Sequence, residues 1–531
     1  MMSGWGQMVH IVRKDVRHLW MEIVVSVGVV AMFAWLTPMT WPGFEVSAES
    51  SRNGLMGMFG SVVRGLIPLS WLLLIARVVQ SEGLVGDRQF WVTRPYRWYA
   101  LLGAKVVFVV GFCCVPLGLA QIYLMHHAGL GVRGFMPQLL GDMGMFGLVM
   151  LLPVMALATV TSGFGMLLLA ALGWTVYCWV LTVSWEFLFV GRAMPPYGMA
   201  IGYGMGAVVL AGVGLLQFRE RRVVLSRWIL AGLPLALAVI VYVLPAGALF
   251  RLGYRGSAAA VGFKTAFSFA DPTAPIVGER RQTMSDGMQR SRSMFVNLPI
   301  GMAGFPAGGR VRERAIQLEV SDGRGWRWTS PWQDVFGNAS SDVIDWVGVK
   351  IPDDVAERLK SGPVHVRLAL ALSLVQSRAP QTLTVSARDQ AAPFGGVCAM
   401  PKNLDSRRWD RPLACRFPPL DEREIQVTGR VRAGDCRQGP GAVGEASVSG
   451  MQWLWFDPVY AVEVSMRTAP PGGGTMLLGA LCDGDQVQFV GSEEVAKVLV
   501  HVEKDEVNLS DYLVRGPDSG AMPPVGIRPR E

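Results

Sequence analysis

Residues 20–41 read WMEIVVSVGVVAMFAWLTPMTW, and apart from Glu22 no charge interrupts them. A helix rises about 1.5 Å per residue, so roughly 20 apolar residues cross a hydrocarbon layer of about 30 Å. Six more stretches of this kind follow, at 58–79, 99–124, 143–160, 164–189, 197–218 and 229–250. The fourth is short, and Thr161-Ser162-Gly163 barely separates it from the fifth. No small-residue cleavage site follows the first stretch, so it reads as a span and not as a signal peptide. The reading is a polytopic α-helical membrane domain of seven spans over residues 20–250.

Composition agrees. Of 531 residues 51% are hydrophobic and 17% charged, with a mean hydropathy of +0.34. Soluble domains carry about a quarter charged residues. Residues 1–250 hold 16 Lys/Arg against 9 Asp/Glu, and residues 251–531 hold 33 against 32, so the basic excess belongs to the apolar half. Glycine shows no period of three and no heptads persist, which excludes collagen and coiled coil. Basic residues beside membrane-length apolar runs do not form a solvated face, which argues against a nucleic-acid partner.

Short loops rich in Lys and Arg stay in the cytoplasm. Twelve cations mark one side: Arg13, Lys14 and Arg17; Arg77, Arg88, Arg94, Arg97 and Lys105; Arg219, Arg221, Arg222 and Arg227. Arg52, Arg133 and Arg192 mark the other, and Arg64 lies inside span two. Seven crossings from a cytoplasmic N-terminus put everything after Phe250 outside the cytoplasmic (inner) membrane. Before span one, Trp5, Met8, Val9, Val12, Val16, Leu19 and Trp20 fall at helical spacing with His10, Lys14, Arg17 and His18 largely between them. Residues 1–19 therefore form an amphipathic helix suited to the surface of an anionic bilayer leaflet.

Residues 80–99 read QSEGLVGDRQFWVTRPYRWY. Charged residues alternate with Phe90, Trp91, Trp98 and Tyr99, and Pro95 fixes a break. That pattern describes a short helix, a rigid turn and a return into the bilayer at headgroup level, a shaped and charged surface for a cytosolic partner. A plain interfacial loop would use the same residue types.

The order of residues here resembles the permease subunits of type-2 ABC transporters. Glu82, Gly86, the run Phe90-Trp91-Val92-Thr93-Arg94-Pro95, and Leu101-Leu102-Gly103-Ala104-Lys105 at the start of the next span fit that family's segment between spans two and three. The amphipathic elbow helix before span one fits as well. The resemblance implies a six-span permease core over 20–222, here extended by a seventh helix in 223–250 and an added C-terminal domain. It also implies a separate cytoplasmic ABC ATPase subunit docking on Glu82, Gly86, Asp87, Arg88, Arg94 and Pro95, and a second permease chain, identical or homologous. ATP and Mg would bind the ATPase. This chain has no Gly-x-x-x-x-Gly-Lys-Ser/Thr phosphate loop, and no cofactor is expected on it.

From about residue 311 the period changes to two. Ile316, Leu318 and Val320 alternate, Ser321-Asp322-Gly323-Arg324-Gly325 turns, and Trp326 and Trp328 follow. Residues 364–374 form the cleanest strand, with others at 383–387, 425–427, 452–456, 459–466, 486–490 and 496–502, and 352–359 reads as a short helix. This predicts a β-rich, sandwich-like extracytoplasmic domain over 311–515, as one module or two meeting near residue 390. Residues 251–310 read as an irregular connector and 516–531 as a disordered tail.

Cys398, Cys415, Cys436 and Cys482 allow two disulfides in three connectivities, among them the sequential pairing Cys398–Cys415 and Cys436–Cys482. Cys113, Cys114 and Cys178 lack neighbouring metal ligands, as do His365, His501 and the pair His126-His127, so no metal site is expected. No His-Glu-x-x-His, Gly-x-Ser-x-Gly or scaffolded carboxylate pair occurs, so the chain is not read as an enzyme. The leading expectation is a permease subunit. The alternative is a multi-pass membrane-anchored protein whose β-domain binds or senses a ligand, with Trp326, Trp328, Trp332, Trp453 and Trp455 lining a groove. As alternating strand residues, these tryptophans are more often core.

Overall fold

The computed structural model describes residues 3–41, 50–81, 97–188, 193, 195–258, 266–269, 294–340, 343–400, 413–418, 424–431, 442–449, 456–464, 466–468, 477–479 and 481–515. The helices are α1 (Gly4–His18), α2 (Trp20–Leu36), α3 (Ser50–Gln80), α4 (Trp98–Val109), α5 (Val115–His127), α6 (Met136–Phe146), α7 (Leu152–Val160), α8 (Phe164–Leu188), α9 (Gly198–Arg219), α10 (Val223–Val243) and α11 (Ala246–Gly253). Joined across their π-helical turns, they give seven helices long and apolar enough to cross a membrane: Trp20–Thr40, Met58–Gln80, Trp98–His127, Arg133–Val160, Phe164–Ser184, Gly198–Arg219 and Val223–Ile240.

Two spans differ from the sequence reading. The fourth is full length because the helix starts well before residue 143, with Pro137 in its first turn, where a missing N–H costs nothing. The seventh begins earlier and ends before residue 250. Pro245 precedes a separate helix, α11, whose Leu249 and Phe250 are buried. Spans three and four each contain a π-helical turn, Val110–Cys114 and Gly147–Leu151, just ahead of Pro116 and Pro153. Proline withholds a donor and crowds the carbonyl four residues back, and the wider turn absorbs that misfit.

The described strands are β1 (Ala266–Phe269), β2 (Met294–Ala303), β3 (Gly309–Ser321), β4 (Arg327–Thr329), β5 (Gln333–Ser340), β6 (Val343–Ile351), β7 (Val364–Ser377), β8 (Gln381–Thr384), β9 (Gln390–Ala392), β10 (Gly396–Ala399), β11 (Leu413–Phe417), β12 (Glu424–Val431), β13 (Ala442–Ser449), β14 (Tyr460–Val464), β15 (Met466–Thr468), β16 (Leu477–Gly479), β17 (Gln486–Val507) and β18 (Leu513–Arg515), with α12 (Asp353–Leu359) between β6 and β7. They build open sheets. The connector expected over 251–310 contains β1 and β2. β2 escaped the period-two reading because Phe295, Val296, Leu298, Pro299 and Ile300 are buried on both faces, so its sequence does not alternate.

The chain forms two compact units. One comprises Met1–Val183, Ala200–Tyr242 and Ala379–Gly491, the other Ser184–Met199, Val243–Arg378 and Ser492–Glu531. In the second unit β3 pairs with β4, β5 and β7, β7 pairs with β17 from Glu493 to Val507, and β2 pairs with β1, β6 and β18. Leu368, Leu370, Leu372 and Leu374 of β7 enter the main core. On its other face Ala369 and Ala371 leave room for a smaller core, where Phe250 stacks on Trp332 with centroids 4.1 Å apart. The Ala193 amide donates to the Trp332 carbonyl at 2.8 Å. Gly253 lies so close to Pro196 that a Cβ would sit 2.4 Å from the ring. Residues between α8 and α9 are thus built into this unit. Trp326 and Trp328 are half-buried against its core; Trp453 and Trp455 lie outside the described residues.

In the first unit, β9, β10, β11 and β14 form one sheet around Leu413, Phe417 and Val464, packed with Leu383, Ile425, Val427 and Phe489. Cys398 and Cys415 face each other across β10 and β11 and are disulfide-bonded. Cys482 is also in a disulfide, and Cys436 lies outside the described residues.

Candidate functional site

The residues expected to dock a partner, Glu82, Gly86, Asp87, Arg88, Arg94 and Pro95, lie outside the described residues. What is described is the frame that holds both ends of their segment. Along α1 and its C-terminal flank, Ile11, Asp15 and Leu19 recur every four residues and are all buried. This stripe packs on α4, while Trp5, Val9 and Trp20 face outward. Gly103 allows the approach, since a Cβ there would lie 3.1 Å from the Met8 sulfur. An aspartate in a buried apolar stripe needs a counter-charge. Lys105, fully buried, supplies it with Nζ–Oδ2 at 2.7 Å, and Lys14 lies 3.6 Å from the other oxygen. The Gln7 side chain accepts from the Arg97 amide at 3.3 Å, where the segment rejoins α4.

At the same end Arg77 pairs with Glu22 at 3.2 Å, tying α3 to α2. Gln80 donates to the Thr161 hydroxyl at 2.9 Å, and Arg227 donates through Nε and Nη2 to the Val160 carbonyl at 3.2 and 3.0 Å. Polar contacts thus tie α1 to α4, α2 to α3, α3 to the end of α7, and α7 to α10. In the sequence Lys105 counts only among the cytosolic cations and at the start of span three, and Asp15 is not singled out. The signal that would have found the pair was Asp15 itself, the acidic residue at the i, i+4 spacing of the buried face.

A second cluster lies ~24 Å away along α3, sixteen residues from Gln80 to Arg64 at 1.5 Å each. A bare arginine inside an apolar span costs about 2.5–3.5 kcal/mol. Here Arg64 approaches Asp457 at 3.4 Å and the Phe33 ring at 6.0 Å. Trp41 donates to the same Asp457 oxygen at 3.5 Å, and the Val459 amide donates to the other at 3.0 Å. Next to Asp457, Phe456 packs its ring against Phe146, Phe33 and Trp71, at centroid distances of 5.3, 6.3 and 6.4 Å. Val459 belongs to the helical core itself. The Phe456–Val459 loop thus carries an aromatic ring and a carboxylate in among α2, α3 and α6.

The two clusters differ in strength. The Asp15–Lys105 contact has the length of a full charge-assisted hydrogen bond, whereas contacts of 3.4–3.5 Å are long for one. Burial pushes the Asp457 carboxyl above the ordinary carboxylate range, against the lowering by the Val459 amide, the Arg64 charge and the Trp41 indole. Arg64 keeps 42% of its side chain exposed. Among the described residues, the buried Trp71 indole N–H, whose ring packs near Phe456, has no hydrogen-bond acceptor.

Elsewhere, His365 pairs with Asp505 at 2.5 Å on the surface, and burial, with the Arg367 charge, lowers His501 below the ordinary imidazole value. Among the described residues no group of three or more His, Cys, Asp or Glu side chains could hold a metal ion. Compared with protein-family models, curated proteins and solved structures, the chain matches none.

Proposed function

We propose that this chain is the membrane-spanning permease subunit of an ATP-driven transporter of the ABC type, lying in a cytoplasmic membrane with its N-terminus and the 82–96 segment in the cytosol. A cytoplasmic ATPase subunit would bind ATP and Mg and dock on that segment, and two permease chains would enclose the path. The observation that carries the reading is α1, an amphipathic helix pinned to the start of span three by a buried ion pair. A push on the 82–96 segment would reach span two through Gln80 and span three through Arg97, and α1 would move with span three. Such rigid linkage is what alternating access by tilting helices needs. Seven apolar helices and the cationic excess on their cytosolic loops support the orientation. The Cys398–Cys415 bond fits an oxidising compartment for the β-rich region.

The test is purification of the chain from native membranes. A stoichiometric ATPase should accompany it, and Glu82→Ala or Arg94→Ala should leave the complex folded while uncoupling ATP hydrolysis from transport. Absence of any ATPase, or normal transport by both variants, would refute the reading. The second reading, a membrane-anchored protein whose β-rich region binds or senses a ligand, draws on the Phe456–Val459 loop seated among the helices. Deleting residues 251–531 should then abolish all function, whereas a permease would still bind its ATPase.

A further inference from the structure

We infer that the Phe456–Val459 loop occupies, as a built-in stand-in, a binding site between α2, α3 and α6 whose ligand is an amphiphile with one anionic head and an apolar or aromatic body. The site has two parts matched to the two residues that fill it. Phe456 lies among the rings of Phe33, Trp71 and Phe146. Asp457 offers a carboxylate oxygen to Arg64 and to the Trp41 indole N–H. An aromatic ring one residue from a carboxylate is itself a small anionic amphiphile, and the helices hold it as they would hold a ligand of that chemistry.

Four observations indicate that the stand-in can be displaced. Its charged contacts are long, at 3.4 and 3.5 Å. Arg64 is partly exposed and so within reach of a head group arriving from the side. Among the described residues the buried Trp71 N–H is left without an acceptor, which a ligand oxygen could supply. Burial raises the Asp457 carboxyl above its ordinary value, in spite of the lowering by Val459, Arg64 and Trp41. A ligand bringing its own apolar body exchanges one buried ring for another and frees Asp457 to water. The ligand's role as cargo rests on the transport reading. Its binding does not, so the two can fail separately.

The test uses the full chain in neutral maltoside micelles without any ATPase. A diazirine-bearing fatty acid is photolysed with the protein, and labelled peptides containing Phe33, Trp71 and Phe146 are quantified by mass spectrometry. Phe456→Ala/Asp457→Ala should raise labelling there at least fivefold, by removing the intramolecular competitor. Adding Arg64→Gln should return it to background, whereas labelling by a diazirine-bearing fatty alcohol should be weaker and unaffected by Arg64→Gln. Dodecyl phosphate and laurate should each suppress the signal, while inorganic phosphate should not; suppression by inorganic phosphate would identify a free-anion site and overturn the amphiphile. Labelling indifferent to Arg64, or equal for acid and alcohol, also overturns the inference. Should the double variant fail to fold, the wild-type chain against Arg64→Gln alone, with the same competitors, decides the question: acid-specific labelling lost with Arg64 supports it, and no loss refutes it.

Discussion

Replacing Lys105 by Met leaves Asp15 buried without its principal partner. The side chains are 0% and 3% exposed and 2.7 Å apart, so solvent screens the pair little. Removing one member of such a pair costs about 3–5 kcal/mol. Lys14, 3.6 Å from Asp15 and 38% exposed, compensates in part, which places the loss at the lower end. About 3 kcal/mol is roughly two orders of magnitude in the equilibrium holding α1 on α4. The assay is maleimide labelling of Ile11→Cys, a buried position on the docked face, in a background with Cys113, Cys114 and Cys178 replaced by Ala. Lys105→Met should accelerate labelling about 100-fold by that estimate. Asp15→Leu/Lys105→Met should restore protection, because an apolar pair removes the stranded charge. Labelling within twofold of the parent in the single variant would refute the idea that the ion pair holds the helix.

Three further outcomes follow from other parts of the chain. Burial pushes the Asp334 carboxyl up to about 6 from 3.8; its contribution to stability is therefore full below the ordinary value and lost as pH rises through about 6. Discounted for partial exposure, the loss is about 1 kcal/mol. The unfolding midpoint should fall between pH 4 and 6 and flatten in Asp334→Asn; an unchanged slope contradicts this. Removing Cys398–Cys415, which closes a 17-residue separation, should cost about 3 kcal/mol, read as faster hydrogen exchange in β10 and β11. Phe250→Ala should cost about 3–5 kcal/mol and raise exchange in β7 and α11, with Phe250→Leu recovering most of the loss; protection equal to the parent would show that the Phe250–Trp332 stack carries little.

Legibility in the sequence followed the range of the interaction. The apolar helices could be read because membrane-length hydrophobic runs are a local property, and β7 because Val364, Val366 and Leu368 alternate. β2 could not, since burial on both faces erases the period and Pro299 reads as a strand breaker. The break before α11 was written in Pro245, but an apolar run on both sides concealed it. At the α1 end, Asp15 signalled a missing partner without naming Lys105, ninety residues on. At the other end, Arg64 announced that some neighbour must answer it. Its answer is Asp457, 393 residues later, and no local pattern carries such a pairing. The packing of Phe456 among aromatic residues of three helices was unreadable for the same reason.

The proposed orientation underlies both the proposed ATPase docking and the proposed oxidising compartment of the β-rich region. It is tested by an impermeant maleimide on intact cells expressing the chain with Ser81→Cys or Lys360→Cys, two exposed positions. Lys360→Cys should label at once, and Ser81→Cys only after the membrane is opened. Immediate labelling at Ser81→Cys with protection at Lys360→Cys would contradict the permease architecture at its root.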